Sequence, residues 1–432
     1  MRQVPEFGGS VVDSCAMLRA KAGIFALVGL ATLVGGADTG FAQTHWVASW
    51  ATSPQVAEDE NALAASELRE GTLRQIVHFS IGGAQLRVHL SNRYGAEPLH
   101  FTAVHVAKAV AAGSARIVTG TDKELQFSGK ADVIVPAGAD YISDPLDFPT
   151  APLSDLAITL RVGSNAVWQT GHPGSRATSF LAKGNSLAAE DLPDAKKVQR
   201  WYFVAGVDVA TTADAFTMVV LGDSITDGRG STTDGNNRWP DILAKRLQAS
   251  AATQKIGVVN QGIGGNRLLL DGIARNALAR FDHDVLAQAG VRCLIVLEGI
   301  NDLGMLTHEK EVSEAEHEAE VRRVIGAYEQ IIARAHAQRI KVIGATILPF
   351  VGSAFYHPTA KNEADRQAVN EWIRKHFDGV LDFDKLLRDP AHPEMMLSAY
   401  DSGDHLHPSP AGYGAMAESI PLSMFVFGER SY

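Results

Sequence analysis

Cysteine is nearly absent from this chain. There are two, Cys15 and Cys293, among 432 residues. Two thiols do not make a disulfide framework, so a packed core has to hold the fold. Cys293 lies within Val291-Arg292-Cys293-Leu294-Ile295-Val296-Leu297, an apolar run that reads as a core strand, where a thiol behaves as a small inert hydrophobe. Basic residues are also in deficit: 39 Lys and Arg against 49 Asp and Glu leave a net charge of −10. That excludes the basic footprint nucleic acid requires, and a mild acidic excess mainly favours solubility. Beyond one early segment, no stretch is long and apolar enough to cross a bilayer. No Gly-x-Ser-x-Gly occurs, which argues against an ordinary α/β-hydrolase elbow. No internal repeat is seen.

The early segment has the features of an export signal. Arg19 and Lys21 precede the apolar run from Ala22 to Gly36, and Gly40-Phe41-Ala42 comes next, with small residues at both positions expected before a cleavage point. The run is short and glycine-rich for a membrane span. The expectation is a signal peptide over residues 1–42, cleaved after Ala42, with an uncleaved anchor as the other reading. Met17 is a possible alternative start; from either start, Cys15 leaves the mature chain. The location expected is secreted or periplasmic, without stable membrane insertion after cleavage.

The length calls for two domains, and the pattern changes near residue 212. Residues 43–212 read as a β-sandwich, jelly-roll-like. Leu86, Val88 and Leu90 alternate with Arg87, His89 and Ser91, the mark of a half-buried strand. Gly82-Gly83 between this run and Leu73 to Ile81 predicts a hairpin. Further short candidate strands come at Phe101–Lys108, Ala115–Thr119, Leu125–Ser128, Asp132–Val135 and Leu156–Val162. Residues 170–197 read as a long polar connection, and Trp201 to Val209 as a last strand.

Residues 213–432 alternate apolar strands with helical segments, which implies a parallel, doubly wound sheet with ligands at the carboxyl ends of its strands. The loops beyond those strand ends are informative. Phe216 to Leu221 runs into Gly222-Asp223-Ser224. Lys255 to Asn260 leads into Gln261-Gly262-Ile263-Gly264-Gly265-Asn266. Cys293 to Leu297 continues as Glu298-Gly299-Ile300-Asn301-Asp302, and near the end stands Asp404-His405-Leu406-His407-Pro408. Each has a plain structural alternative: a helix cap at Ser224, a turn at Gly264-Gly265, a cap at Asn301-Asp302, an exposed ion pair between Asp404 and His407. Their coincidence at strand ends favours a site.

These four blocks resemble those of the SGNH or GDSL hydrolases, in order and at compatible spacing. The resemblance covers the chain from about Ala215 to its end. It implies a flavodoxin-like three-layer α/β/α domain, and the whole chain is similar to a secreted arylesterase or acylhydrolase subgroup, some of whose members act on xylan. It also implies an oxyanion hole from the backbone N–H of Ser224 and Gly265 and the side-chain amide of Asn301. Residue chemistry agrees on the rest: Ser224 as nucleophile, His407 as general base, Asp404 as the acceptor that fixes its tautomer. His405 is the competing base. The expected activity is hydrolysis of short acyl esters, acetyl or aryl, on a small molecule or a polysaccharide, with no cofactor and no metal. The alternative is a carbohydrate-binding or adhesive protein with an ancillary acyl-hydrolase or acyltransferase domain.

Competing motifs carry less. Gly262 to Arg267 lacks the third glycine of a dinucleotide fingerprint. His308-Glu309 and His317-Glu318 do not continue to a second histidine at zincin spacing. His405 and His407 have no evident third metal ligand. Phe350-Val351, Phe355-Tyr356 and Met395-Met396 are candidates for an acyl pocket or for loop packing. Trp46, Trp50, Trp168 and Trp201 are scattered and read as core or interface residues. Asp223 and Asp302 are read as loop stabilisers.

Overall fold

The computed structural model describes residues 44–57, 59–164 and 166–426. The expected signal segment and its cleavage point lie outside the described residues. The described residues form one compact unit.

The first half is an antiparallel β-sandwich. One sheet runs in the order His45–Ala51, Val204–Thr211, Gly83–Ser91, Asp140–Ile142, with Leu146–Thr150 also on Gly83–Ser91. The facing sheet is built on Gly71–His78, Asp155–Val162 and Leu99–Lys108. Val47, Leu86, Val88 and Val207 of the first meet Val77, Leu156, Ile158 and Val104 of the second in a common core. Burial of the alternate residues of each strand is what joins two such sheets.

Several expectations about this half are overturned; Ala115–Thr119 and Leu125–Ser128, read as strands, hold only isolated bridges at Ile117 and Phe127. Gly82-Gly83 does not close a hairpin, because Gly71–His78 and Gly83–Ser91 belong to opposite sheets. Between them Phe79 N–H donates to Ser154 O at 2.9 Å and Ser80 N–H to Ser49 O at 3.0 Å, carrying the chain from one sheet across to the other. Alternation reports that a strand is half buried and says nothing of its partner. Residues 170–197 are not a plain connection either: Gln169–His172, Ser179–Lys183 and Lys196–Val198 are strands in that stretch. They are short, and Gly, Pro and Ser between them mask the pattern.

The second half carries a five-stranded parallel sheet in the order Ile256–Gly262, Phe216–Gly222, Val291–Leu297, Lys341–Ala345, Gly379–Leu381. In chain order this is 2-1-3-4-5, the flavodoxin-like arrangement, whose switch point lies between Phe216–Gly222 and Val291–Leu297. Every residue of Phe216–Gly222 is buried, as both faces are covered by helices. The helices start where the local chemistry favours it. Ser313 caps Glu314–Ala337 with a reciprocal Glu316 bond, Thr359 caps Ala360–His376, and Pro410 opens Pro410–Ser419.

The sheet type changes between Thr211 and Phe216, but the two halves are closely joined. Ile256–Gly262 is an edge strand, and the sandwich lies against it. Val258 N–H donates to Ser80 Oγ at 2.8 Å. A Cβ on Gly257 would stand 2.6 Å from Ala48 O, so only glycine lets the backbones approach. Ala48 N–H donates to Ala289 O at 3.1 Å.

His283 forms a further link. It comes just after Ala277–Phe281, in a π-helical turn, Asp282–Leu286, and its two ring nitrogens meet Asp284 of the same turn and Asp140 of the sandwich. Burial alone would lower its pKa, but the hydrogen bonds its ring N–H groups donate to the two carboxylates outweigh burial and raise it to about 9. A histidine raised above its unfolded value of about 6.5 stabilises the fold fully below that pH and loses the effect as pH rises through the folded value. The difference in urea-unfolding free energy between wild type and His283→Gln is therefore expected to be largest below pH 6.5 and to shrink by about 3 kcal/mol by pH 10. A difference that does not change with pH between 6 and 10 rules this linkage out.

Candidate active site

The strand Phe216–Gly222 ends against its own continuation. A Cβ on Gly222 would lie 2.2 Å from Thr226 Oγ1 and 2.8 Å from Leu297 O, so the chain turns there only because the residue has none. Asp223 caps the helical turn Ser224–Asp227, its carboxylate accepting from Ile225 N–H at 2.9 Å. Ser224 is thus the first residue of a helical turn, where the backbone N–H has no partner within the helix.

Ser224 is brought into one hydrogen-bonded line with Asp404 and His407, which are neighbours of each other and far from it in sequence. Ser224 Oγ lies 2.8 Å from His407 Nε2, and His407 Nδ1 lies 2.7 Å from Asp404 Oδ2. A carboxylate acceptor at Nδ1 puts the ring proton there and leaves Nε2 free to accept the Ser224 hydroxyl. Ser224 and His407 are buried, while the Asp404 side chain keeps 43% exposure. Asp404 Oδ1 accepts the N–H groups of Leu406 and His407 at 3.0 and 2.8 Å. Partial burial would raise its pKa, but the His407 hydrogen bond and these N–H donors hold it well below the usual carboxylate range. His405 does not compete for the same carboxylate. Its Nδ1 is 2.6 Å from Asp401 Oδ2, so the two imidazoles serve different aspartates.

Gly265 and Asn301 flank the serine loop. Ile263 to Asn266 is a tight turn closed by Asn266 N–H to Ile263 O at 3.1 Å, with Gly265 at φ +70°. Positive φ at the third position is the type II pattern and suits glycine. Asp302 holds the next stretch, its carboxylate accepting Leu268 N–H at 2.8 Å and Leu269 N–H at 3.0 Å. Asn301 Nδ2 donates to Asn266 O at 2.7 Å, and its Oδ1 accepts from the Tyr356 hydroxyl. One amide hydrogen is left without a partner among the described residues.

Beneath the loops is a buried cluster that no motif announced. The Arg280 guanidinium donates to Gly222 O at 3.0 Å, Gln261 O at 2.7 Å, Asn266 Oδ1 at 2.9 Å and Asp284 Oδ2 at 2.8 Å. It also reaches Glu298 Oε1 at 3.2 Å and, from the sandwich, Ser53 Oγ at 2.9 Å. One side chain therefore ties the ends of two strands to the Gly265 turn. Glu298 Oε2 is buried without a partner among the described residues, and burial, then the neighbouring Asp223 charge, raises the Glu298 pKa well above the usual range. Asp223 and Asp302 are pushed up to about 7, chiefly by burial. A second contribution from the sandwich is His172. Its Nδ1 lies 2.9 Å from Ser53 O and its Nε2 lies 2.9 Å from Asp227 Oδ1, at the end of the Ser224 turn.

Sequence reasoning missed Arg280, Ser53 and His172, and it named Tyr356 and Glu298 without their roles. Glu298 had a signal, an acid directly after the apolar run Cys293–Leu297. Among the competing motifs, His308 stacks on Phe355 with its Nδ1 2.9 Å from Phe355 O, and His317 pairs with Asp365 between two helices. Cys293 is fully buried, and burial pushes its pKa up to about 12, as an inert thiol requires. Among the tryptophans, Trp50 and Trp201 pack edge to face in the core, but Trp168 is 69% exposed, contrary to expectation. Its neighbours in sequence, rather than its own ring, fill the core: Gln169 and Thr170 are buried while Trp168 turns out at φ +55°.

The model of the GDSL-like lipase/acylhydrolase family matches residues 220–415. That stretch is a GDSL-like lipase/acylhydrolase domain. The GDSL domain contains all four of the site's loops and is of the ester-cleaving, acyl-hydrolase type. Among solved structures, a protein assigned to the lipolytic G-D-S-L family from Desulfitobacterium hafniense is 25% identical, over 49% of this chain and 99% of its own, with a TM-score of 0.36. A GDSL-like lipase from Bacteroides thetaiotaomicron is 18% identical over 50% of this chain and 90% of its own, at 0.37. An acetyl xylan esterase variant from Geobacillus stearothermophilus is 23% identical over 50% of this chain and 97% of its own, at 0.36. No curated protein matches.

Proposed function

We propose that the protein is a serine esterase that hydrolyses short-chain acyl esters, acetyl or aryl, through an acyl-enzyme on Ser224. The observation that carries this is the Ser224–His407–Asp404 line with its 2.8 and 2.7 Å contacts. As Ser224 Oγ attacks the ester carbonyl carbon, its proton passes to His407 Nε2. Charge then develops on the carbonyl oxygen, met by the Ser224 and Gly265 N–H groups and the spare Asn301 amide hydrogen. The imidazolium is balanced by Asp404. It returns the proton to the leaving alcohol oxygen as the C–O bond breaks, and a water activated by the same Nε2 releases the acid. We further propose that segment 1–42 directs export and is removed, so that the enzyme works in the periplasm or outside the cell.

The carbohydrate-binding alternative wanted an exposed aromatic stripe on the sandwich. Trp50 and Trp201 are buried there and Trp168 stands out alone among the four tryptophans, so the enzyme reading is preferred.

A fluorophosphonate tests the mechanism directly, since only an activated serine displaces fluoride to form the Oγ–P bond. The expected result is one adduct, on the peptide containing Ser224, in a protein that cleaves aryl acetate faster than aryl octanoate. Acetylated xylan beside them ranks the polysaccharide substrate. No adduct together with no hydrolysis of any of the three esters overturns the proposal.

A further inference from the structure

Tyr356 lies in a segment with no regular secondary structure beyond the strand Lys341–Ala345, and sequence alone left it as pocket lining or loop packing. It is neither. Its side chain is buried, with the ring edge-on to Phe350 at 6.1 Å and to Phe355 at 4.8 Å. Gly304, on the helix Ile300–Leu306 that carries Asn301, makes room for it: a Cβ there would stand 2.5 Å from the Tyr356 ring. The packing delivers the hydroxyl to Asn301 Oδ1. Phe355, in contrast, is 56% exposed beside it.

We infer that Tyr356 is a positioning residue, which sets the end of the Asn301 amide that faces the ester oxygen. The two ends of a carboxamide have the same shape and opposite polarity. Flipped, Asn301 would present a carbonyl oxygen where negative charge develops, and catalysis would be opposed. Two groups select the correct orientation. Asn266 O can only accept, so it draws Nδ2, at 2.7 Å. The Tyr356 hydroxyl is protonated, because burial raises its pKa. It has no acceptor among the described residues other than Asn301 Oδ1. In the flipped state that buried proton would be unsatisfied, a state that costs free energy. Both contacts leave the second Nδ2 hydrogen directed away from Asn266 and free for the substrate.

This inference rests on the serine-esterase reading, and the experiment separates the two. Tyr356→Phe, Asn301→Ala and their double variant are compared with wild type on an aryl acetate, with Ser224→Ala alongside. Tyr356→Phe retains the ring over Gly304, so the fold is kept. Its kcat is expected to fall roughly tenfold, less than the hundredfold to thousandfold loss of the whole donor, with KM within about twofold. Affinity for a boronic acid that forms a tetrahedral serine adduct falls in proportion to kcat. In the Asn301→Ala background, Tyr356→Phe is expected to change kcat by less than about twofold, since there is no amide left to orient. A tenfold fall in both backgrounds, or no fall in either, overturns the inference while the esterase reading survives. If Ser224→Ala and Asn301→Ala both retain wild-type rates, the esterase reading fails and this inference with it.

Discussion

Ser224→Ala is expected to reduce kcat/KM on an aryl acetate by roughly a millionfold, equivalent to about 8 kcal/mol of transition-state stabilisation. The magnitude comes from the way the three residues act together. His407 without the hydroxyl has no nucleophile to activate, and Asp404 without the imidazolium has no charge to balance. Adding His407→Ala to Ser224→Ala should therefore cost almost nothing more, although each alone is severe. Stability should hardly respond. The Ser224 hydroxyl makes one hydrogen bond, to His407 Nε2, worth about 1 kcal/mol, and alanine suits the first helical turn. Steady-state hydrolysis paired with urea unfolding checks both halves. A variant that retains even a hundredth of wild-type activity places the chemistry elsewhere.

The second large effect is expected at Arg280, and there the order reverses: stability suffers first. Its guanidinium is buried and donates to three carbonyl or amide oxygens of the GDSL domain, two carboxylates and Ser53. Removing one member of a buried charged pair costs roughly 3–5 kcal/mol, because the partner is left without compensation. Arg280→Met leaves Asp284, whose pKa lies below the usual range against the pull of burial, without its guanidinium, and only His283 and the Ser53 hydroxyl remain to it. Lysine at 280 recovers little, since an ammonium cannot span positions that the planar fork reaches together. Activity should also fall in the folded fraction, because Asn266 loses the donor that holds its side chain while its carbonyl anchors Asn301. Urea unfolding monitored by tryptophan fluorescence measures the first effect. A loss below about 1 kcal/mol for Arg280→Met would contradict the assignment of this residue as the organiser of the cluster.

The difference between what was legible and what was not has a physical pattern. Strands buried on both faces are largely apolar and stop abruptly, so the runs Met218–Leu221 and Cys293–Leu297 marked their own carboxyl ends, and the segments beyond them stood out. Ser224, Gly265 and Asn301 lie just beyond such strand ends and Asp404 and His407 in a later loop, and their residue types are unusual enough to stand out. The sandwich was legible in kind and not in pairing. Gly82-Gly83 looked like a hairpin because turn residues are the same whether the next strand folds back beside its predecessor or crosses to the facing sheet. Arg280 and Tyr356 were invisible for another reason. A single arginine on a short helix reads as a solvated residue, and an aromatic beside Phe355 reads as packing. Their roles come from partners distant in sequence: Gly222 and Ser53 for Arg280, Asn301 for Tyr356.

The edge strand Ile256–Gly262 has a consequence for how such a chain could be divided. A bare edge of a sheet offers unpaired backbone groups to any other extended chain. Here that margin is occupied by the sandwich: Ser80 takes the Val258 N–H, and the backbone around Ala48 closes on Gly257 so tightly that a methyl group does not fit. The β-rich half is therefore a shield against self-association as well as a neighbour. Cutting between the two sheet types would free a catalytic half with a sticky flank and with Ser53 withdrawn from Arg280.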